Sequence, residues 1–61
     1  MWILDTHRSQ RNGDLIGLMM VPYIAQPFVT CIITDINKGT WVSGHYFDVI
    51  NEAVADFLER S

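Results

Sequence analysis

The fold of this chain is decided by residues 28–60, which read FVTCIITDINKGTWVSGHYFDVINEAVADFLER. Phe28–Ile36 alternates in polarity and is rich in β-branched residues, a pattern typical of a strand. Asn37-Lys38-Gly39 is typical of a type I turn followed by a glycine in the left-handed conformation, and Thr40–Phe47 then returns as a second strand. These residues predict a β-hairpin that continues directly into a C-terminal helix.

The helix is predicted from Asp48 to the end of the chain. Asp48 is the expected N-cap, because its carboxylate can accept hydrogen bonds from free backbone amides at the positive end of the helix dipole. Six apolar residues recur at helical spacing on one half of the helix: Val49, Ile50, Ala53, Val54, Phe57 and Leu58. Four acids lie within an arc of about 80° on the other side, and we call them the acidic ridge: Asp48, Glu52, Asp56 and Glu59. Asp56 and Arg60 are four residues apart and are expected to pair.

The first half of the chain predicts two further strands. Trp2–Thr6 is short and apolar, and His7–Gly13 follows as a polar connector that ends in the turn dipeptide Asn12-Gly13. Leu15–Val21 is apolar at both odd and even positions and is ended by Pro22, which predicts a strand buried on both faces. The element order is therefore β-β-β-β-α. We predict an α+β fold in which a small antiparallel sheet of three to four strands carries one amphipathic helix on one face.

The composition describes one small acidic domain that spans residues 1–61. Hydrophobic residues make up 49% of the chain, and seven acids against four bases give a net charge of −3. Since one helix can cover only one face of a sheet, we expect apolar surface to remain for another protein, or for a second copy of the chain in a homodimer. The acidic balance argues against direct binding of nucleic acid, which needs clustered Lys and Arg.

The single cysteine and the hydropathy pattern predict a cytoplasmic protein. Cys31 has no second cysteine with which to pair, and unpaired thiols are typical of a reducing compartment. The longest apolar stretch, Leu15–Ala25, contains Pro22 and is shorter than the roughly 20 residues that cross a bilayer. The first residues also lack the pattern of a signal peptide. We therefore expect no membrane association.

One arrangement of residues could carry chemistry. If Ile36 pairs with Thr40 in the predicted hairpin, Cys31 lies beside His45 on the same face of the sheet. Such a pair could be a thiolate nucleophile with its base, or two ligands of a metal ion. Both residues lie in the middle of strands, however, where cysteines are seldom activated. We predict a buried structural cysteine, no cofactor or metal, and no enzymatic activity; an enzyme built on this pair is the third hypothesis.

Seven residues are the predicted contacts to a partner protein. Four of them form the acidic ridge, which is either a docking surface or an ordinary solvated helix face. Tyr23 and Ile24 lie at the tip of a loop that has a proline at each end, and Trp41 lies in the hairpin. The polar connector also holds Arg8 and Arg11, which are either solvated or form a small cationic finger that contacts an acid or a phosphate.

These observations favour a non-enzymatic protein-interaction module, an inhibitor or regulator that binds a larger protein or complex, either alone or as a homodimer. In class it is similar to the small inhibitors that phages use against host enzymes. A second hypothesis is an acidic nucleic-acid mimic of the phage anti-defence (anti-CRISPR-like) type, whose ridge occupies a basic nucleic-acid site. The strand, turn and acidic helix also resemble HicB-type antitoxins. Residues 42–53 lack the Gly-Asp-Thr sequence that leads into the helix of that family, so the chain is not assigned to it.

Overall fold

The computed structural model describes residues 2–60 and contains one antiparallel sheet and one helix. Neighbouring strands in the sequence are also neighbours in the sheet, in the order β1-β2-β3-β4. The elements are β1 Trp2–Arg8, β2 Leu15–Met20, β3 Phe28–Asp35, β4 Thr40–Phe47 and α1 Ile50–Glu59. The predicted α+β fold, with an antiparallel sheet and a C-terminal helix, is confirmed. Over residues 2–60, no helix has the length and apolar character needed to span a membrane.

The first hairpin is longer than predicted, because β1 continues through His7 and Arg8. These residues pair with Ile16 and Leu15, so they belong to the sheet and not to the connector. The loop that remains is closed by hydrogen bonds from the Ser9 amide to the Asp14 carbonyl at 2.8 Å and from the Gly13 amide to the Ser9 carbonyl at 2.9 Å. Gly13 adopts a φ of 78°, as expected of the predicted turn dipeptide.

Helix α1 packs over β2, β3 and β4 and forms the first core of the protein. Ala53 and Phe57 are buried against Ile16 and Leu18, and three half-buried residues surround them: Phe28, Ile32 and Phe47. The edge of the His7 ring contacts Phe57, with the ring centroids 4.4 Å apart. The His7 Nε2 atom is buried and has no hydrogen-bond partner among the described residues.

The opposite face of the sheet is covered by the chain's own side chains. Met19, Val29, Cys31 and Ile33 are buried there, although no helix lies over them. Two glycines make this possible. The Ile33 side chain occupies the place of a Cβ at Gly17, and the Trp41 ring does the same at Gly44; each approaches that position to 2.6 Å. Exposed apolar residues remain at the two edges of this face, where Ile3 pairs with Met19 and Tyr46 pairs with Val29, and others lie elsewhere on the molecule.

The register of the β3–β4 hairpin differs from the predicted one by one residue at both ends and by two residues in the middle, where Ile32 pairs with Val42 and Ile33 with Trp41. The structure pairs Asp35 with Thr40, where the prediction paired Ile36 with it. The side chain of Asp35 explains the difference, because its Oδ1 accepts hydrogen bonds from the amides of Asn37 and Lys38 at 3.0 and 3.1 Å. The turn therefore begins one residue earlier, and Gly39 closes it with a φ of 71°.

This shift in register separates the predicted Cys31–His45 pair. A displacement of one residue moves a strand's side chains to the other face of the sheet. His45 pairs with Thr30 on the face that α1 covers, whereas Cys31 belongs to the core on the opposite face. The prediction that these two side chains lie together is wrong.

The start of α1 also differs from the prediction. Val49 is the N-cap, no side chain caps the helix, and Asp48 lies in the bend before it. Strand β4 continues to Phe47, where it still pairs with Phe28, so the next two residues are needed to turn the chain. The predicted N-cap role of Asp48 is therefore wrong. Only part of the predicted apolar face is buried, and four of its side chains are exposed: Val49, Ile50, Val54 and Leu58.

Candidate functional site

The two ends of the sheet differ in chemistry. At one end, Trp2, Met20, Phe28 and Phe47 form a row across the four strands, next to the β2–β3 loop and the start of α1. We call this the apolar end, and its exposed apolar residues are Trp2, Tyr23, Ile24, Val49 and Ile50. At the other end lie the β1–β2 loop, the β3–β4 loop and the last turn of α1. We call this the polar end.

Asp56 is the centre of a polar cluster between α1 and the sheet. Its Oδ2 atom accepts hydrogen bonds from the Thr30 hydroxyl, from His45 Nδ1 at 3.0 Å and from Arg60 Nε at 3.3 Å. Arg60 also donates from Nη2 to the Ser43 carbonyl at 2.7 Å. Thr30 is fully buried. The four residues, which we call the Asp56 cluster, join the helix to β3 and β4 by hydrogen bonds.

The cluster sets the charge state of Asp56. Burial acts to raise the pKa of this carboxyl group, but hydrogen bonds from Thr30 and His45 and the nearby charges of His45 and Arg60 outweigh it. The pKa of Asp56 is consequently below its ordinary value of 3.8. The carboxylate therefore stays ionised, so it can hold the two basic side chains in fixed orientations.

We expect this cluster to make the protein sensitive to acid. Because the pKa of Asp56 is lower in the folded than in the unfolded state, its stabilising contribution is complete above the unfolded-state value of 3.8 and is lost as the pH falls through the lower, folded-state value. Urea unfolding of the wild type and of Asp56→Asn, from pH 7 to about pH 2, should give free energies of unfolding that converge below pH 3.8. A difference that stays constant over this range would contradict the assignment.

A shallow, open pocket of about 320 Å³ lies beside the Asp56 cluster at the polar end. Two apolar residues, Ile16 and Ile32, line it together with polar residues from the β1–β2 loop, from β4 and from the end of α1: Ser9, Arg11, Asn12, Asp14, Ser43, His45 and Arg60. Ser43 adopts a φ of 55°, which is unusual for a residue other than glycine and is often found at functional sites. The pocket is thus rich in hydrogen-bond donors from three separate elements.

The structure places the predicted contact residues in three different surroundings. Tyr23 and Ile24 are exposed at the apolar end. Trp41 is half-buried in the core on the face opposite α1. Asp56 is turned toward the sheet, so the acidic ridge consists of three exposed acids: Asp48, Glu52 and Glu59. The predicted pair of Asp56 with Arg60 is confirmed, at 3.3 Å.

Sequence reasoning missed the Asp56 cluster as a whole. The spacing of Asp56 and Arg60 was a signal for one of its contacts. The contacts with Thr30 and His45 depend on the register of β3 and β4, which the local pattern predicted incorrectly. The pocket was missed for the same reason, because it needs both the β1–β2 loop and the bulged part of β4.

Cys31 has the environment of a structural residue. It is fully buried beside the Met19 sulfur, at 3.9 Å, and burial raises the pKa of its thiol. Within residues 2–60, no three His, Cys, Asp or Glu side chains are grouped as a metal site. The geometry that an enzyme based on Cys31 and His45 would require is not formed.

Comparisons of the chain with protein-family models, with curated proteins and with solved structures give no significant match.

Proposed function

We propose that this protein is a non-enzymatic interaction module, an inhibitor or regulator that binds a larger protein through its apolar end. The observation that carries the proposal is Tyr23, whose side chain is 89% exposed. Isolated exposed apolar residues are common in proteins, but this one lies at the same end of the sheet as four others. Contiguous exposed apolar patches mark interaction sites.

The loop that presents Tyr23 is constrained before it binds. Pro22 and Pro27 limit its backbone at both ends, and the Val21 amide donates a hydrogen bond to the Pro27 carbonyl at 2.7 Å. A constrained loop loses less conformational entropy on association than a free one. Tyrosine and tryptophan are also the residues that most often dominate the binding energy of an interface. Tyr23 and Trp2 are therefore the proposed anchors.

The charges around the apolar end indicate the partner's chemistry. Asp48 and Glu52 are exposed at the start of α1, next to Val49 and Ile50. The complementary surface is an apolar cleft with basic residues at its rim.

A second copy of this chain fits less well, because the acids of the two copies would face each other. The bulges in β1 and β4 also oppose pairing of sheet edges between copies. We place this interaction in the cytoplasm, where the lone Cys31 is stable as a thiol.

The nucleic-acid mimic is less well supported by the arrangement of the acids. A mimic needs a row of exposed negative charges. Because Asp56 is turned toward Thr30 and His45, the row is interrupted in the middle of α1. Binding through an apolar end should change little with salt, whereas binding by a mimic should weaken steeply.

The matched variants Ile24→Asp and Ile36→Asp test the proposal. Both residues are exposed loop isoleucines, 41% and 53% respectively, but Ile36 lies at the polar end. With each protein immobilised on resin and incubated with an extract of its source cells, we expect the wild type and Ile36→Asp to retain the same partner. Ile24→Asp should bind that partner at least about tenfold more weakly, the effect of losing a central apolar contact.

Circular dichroism must first show that both variants are folded. Glu52→Lys tests the proposed basic rim of the partner, because it reverses a charge beside the apolar end. Glu59→Lys makes the same change at the other end of α1 and is its control. Equal retention by Ile24→Asp and Ile36→Asp would overturn the proposal. So would sedimentation equilibrium that finds a wild-type dimer which Ile24→Asp dissociates, because the apolar end would then bind a second copy.

A further inference from the structure

We infer that the pocket at the polar end binds a small phosphate monoester, a ligand distinct from the protein proposed to bind at the apolar end. No part of this inference depends on that proposal, because the two sites lie at opposite ends of the sheet. It depends on how the donors of the pocket are held, on the one arginine of the pocket that lacks an acidic partner, and on the size of the pocket.

Two of the nitrogen donors are fixed before any ligand arrives. The Arg60 side chain is only 13% exposed, and its guanidinium is held by the Asp56 carboxylate and the Ser43 carbonyl. The His45 ring is oriented through Nδ1. Its Nε2 therefore donates to a phosphate oxygen when the imidazole is protonated, and accepts a hydrogen bond from a ligand hydroxyl when the imidazole is neutral. Donors that are already oriented lose little entropy on binding, so they contribute more to affinity than mobile ones.

Arg11 is the third nitrogen donor, and it forms no ion pair with any acid in residues 2–60. Its loop is ordered by hydrogen bonds from backbone amides to side-chain oxygens: the Arg11 amide donates to Ser9 Oγ at 3.2 Å, and the Asp14 amide donates to Asn12 Oδ1 at 3.0 Å. Arg8 differs, because its Nη1 donates to the Gly13 carbonyl at 3.0 Å and it does not line the pocket. Of the two arginines in the predicted cationic finger, Arg11 is therefore the one available to an anion.

The arrangement suits a tetrahedral oxyanion better than a carboxylate. Arg11 comes from the β1–β2 loop, His45 from β4 and Arg60 from the end of α1, so basic side chains reach the pocket from three different elements. Arginine pairs well with phosphate oxygens, and the hydroxyls of Ser9 and Ser43 can add neutral hydrogen bonds.

The volume and the remaining side chains indicate a small organic ester. A pocket of about 320 Å³ is at the lower limit for small-molecule sites. Ile16 and Ile32 provide apolar contact for a carbon group, and Asp14 can accept a hydrogen bond from a ligand hydroxyl. Asp14 and Asp56 also offset part of the positive charge, so we expect a dissociation constant on the order of 1 mM.

Nuclear magnetic resonance titration of the isotope-labelled full chain with glycerol phosphate tests the inference, with acetate as the control anion at constant ionic strength. We expect saturable shifts confined to the residues of the pocket, with acetate at least about tenfold weaker. Arg11→Gln should weaken glycerol phosphate binding about tenfold, the effect of losing a charged hydrogen bond. Arg8→Gln removes the same charge from a side chain that does not line the pocket, and it should leave the affinity unchanged.

Shifts that do not saturate, or acetate that binds as tightly as glycerol phosphate, would overturn the inference. Equal weakening by Arg8→Gln and Arg11→Gln would also overturn it, because the effect would then be one of overall charge. Ile24→Asp should bind glycerol phosphate like the wild type. Binding of glycerol phosphate at the polar end can thus be tested separately from binding of a protein at the apolar end.

Discussion

Phe57→Ala is expected to lower the free energy of unfolding by about 3–5 kcal/mol, the usual cost of removing a buried phenylalanine side chain. Phe57 is 4% exposed and packs against Ile16, Leu18 and the ring of His7. A domain of 61 residues has a total stability of roughly 3–9 kcal/mol. The substitution should therefore remove at least about a third of the total stability, as measured by urea titration with far-ultraviolet circular dichroism and tryptophan fluorescence.

Leu58→Ala is the control for this experiment, because Leu58 is the next residue of the same helix and is 62% exposed. Its substitution should change the free energy of unfolding by no more than about 0.5 kcal/mol. If both variants lost similar stability, the face of α1 that contacts the sheet would be different from the one described.

Asp56→Ala is expected to lower the free energy of unfolding by about 2–3 kcal/mol, the range for a charged hydrogen bond to a partner that is left buried. The variant would leave the fully buried Thr30 hydroxyl without its acceptor and Arg60 without its carboxylate. The Asp56 side chain is 22% exposed, so water can replace part of the loss at His45 and Arg60, but not at Thr30. The same urea titration at pH 7 measures the effect.

Glu59→Ala is the matched control, since it removes an acid from the exposed side of the same helix and should cost no more than about 0.5 kcal/mol. A double-mutant cycle with Thr30→Val isolates the central contact. Thr30→Val should be less destabilising in the Asp56→Ala background than in the wild type, because the two residues are in direct contact. Additive effects would mean that the hydroxyl and the carboxylate do not stabilise each other.

The register of the central hairpin shows why part of the fold could not be predicted. Alternation sets a register only where one face of a strand is polar. Both faces of β3 are apolar, with Val29, Cys31 and Ile33 on one side and Ile32 on the other. Two registers therefore matched the local pattern equally well. The hydrogen bonds of Asp35 in the turn, one bulge in β3 and one bulge in β4 select the observed one.

Asp56 illustrates the same limit at the candidate site. On a helical wheel it belongs with the other acids of the ridge, and the nearby sequence distinguishes it from Glu52 and Glu59 only by Arg60, four residues later. Its role depends on Thr30, which is 26 positions earlier in the chain. A buried hydroxyl on the facing strand turns this one acid inward, and the polar pocket forms beside it.

The class and order of the elements follow from local physical chemistry that is readable along the chain. Alternating β-branched residues, a glycine at the hairpin turn and apolar residues at helical spacing each depend on neighbours within a few positions. The register of β3 and β4, the covering of Gly17 and Gly44 by Ile33 and Trp41, and the Asp56 cluster depend on residues far apart in the sequence. Such contacts form only when the strands and the helix pack together, because only then do burial and hydrogen bonding favour one arrangement over its near equivalents.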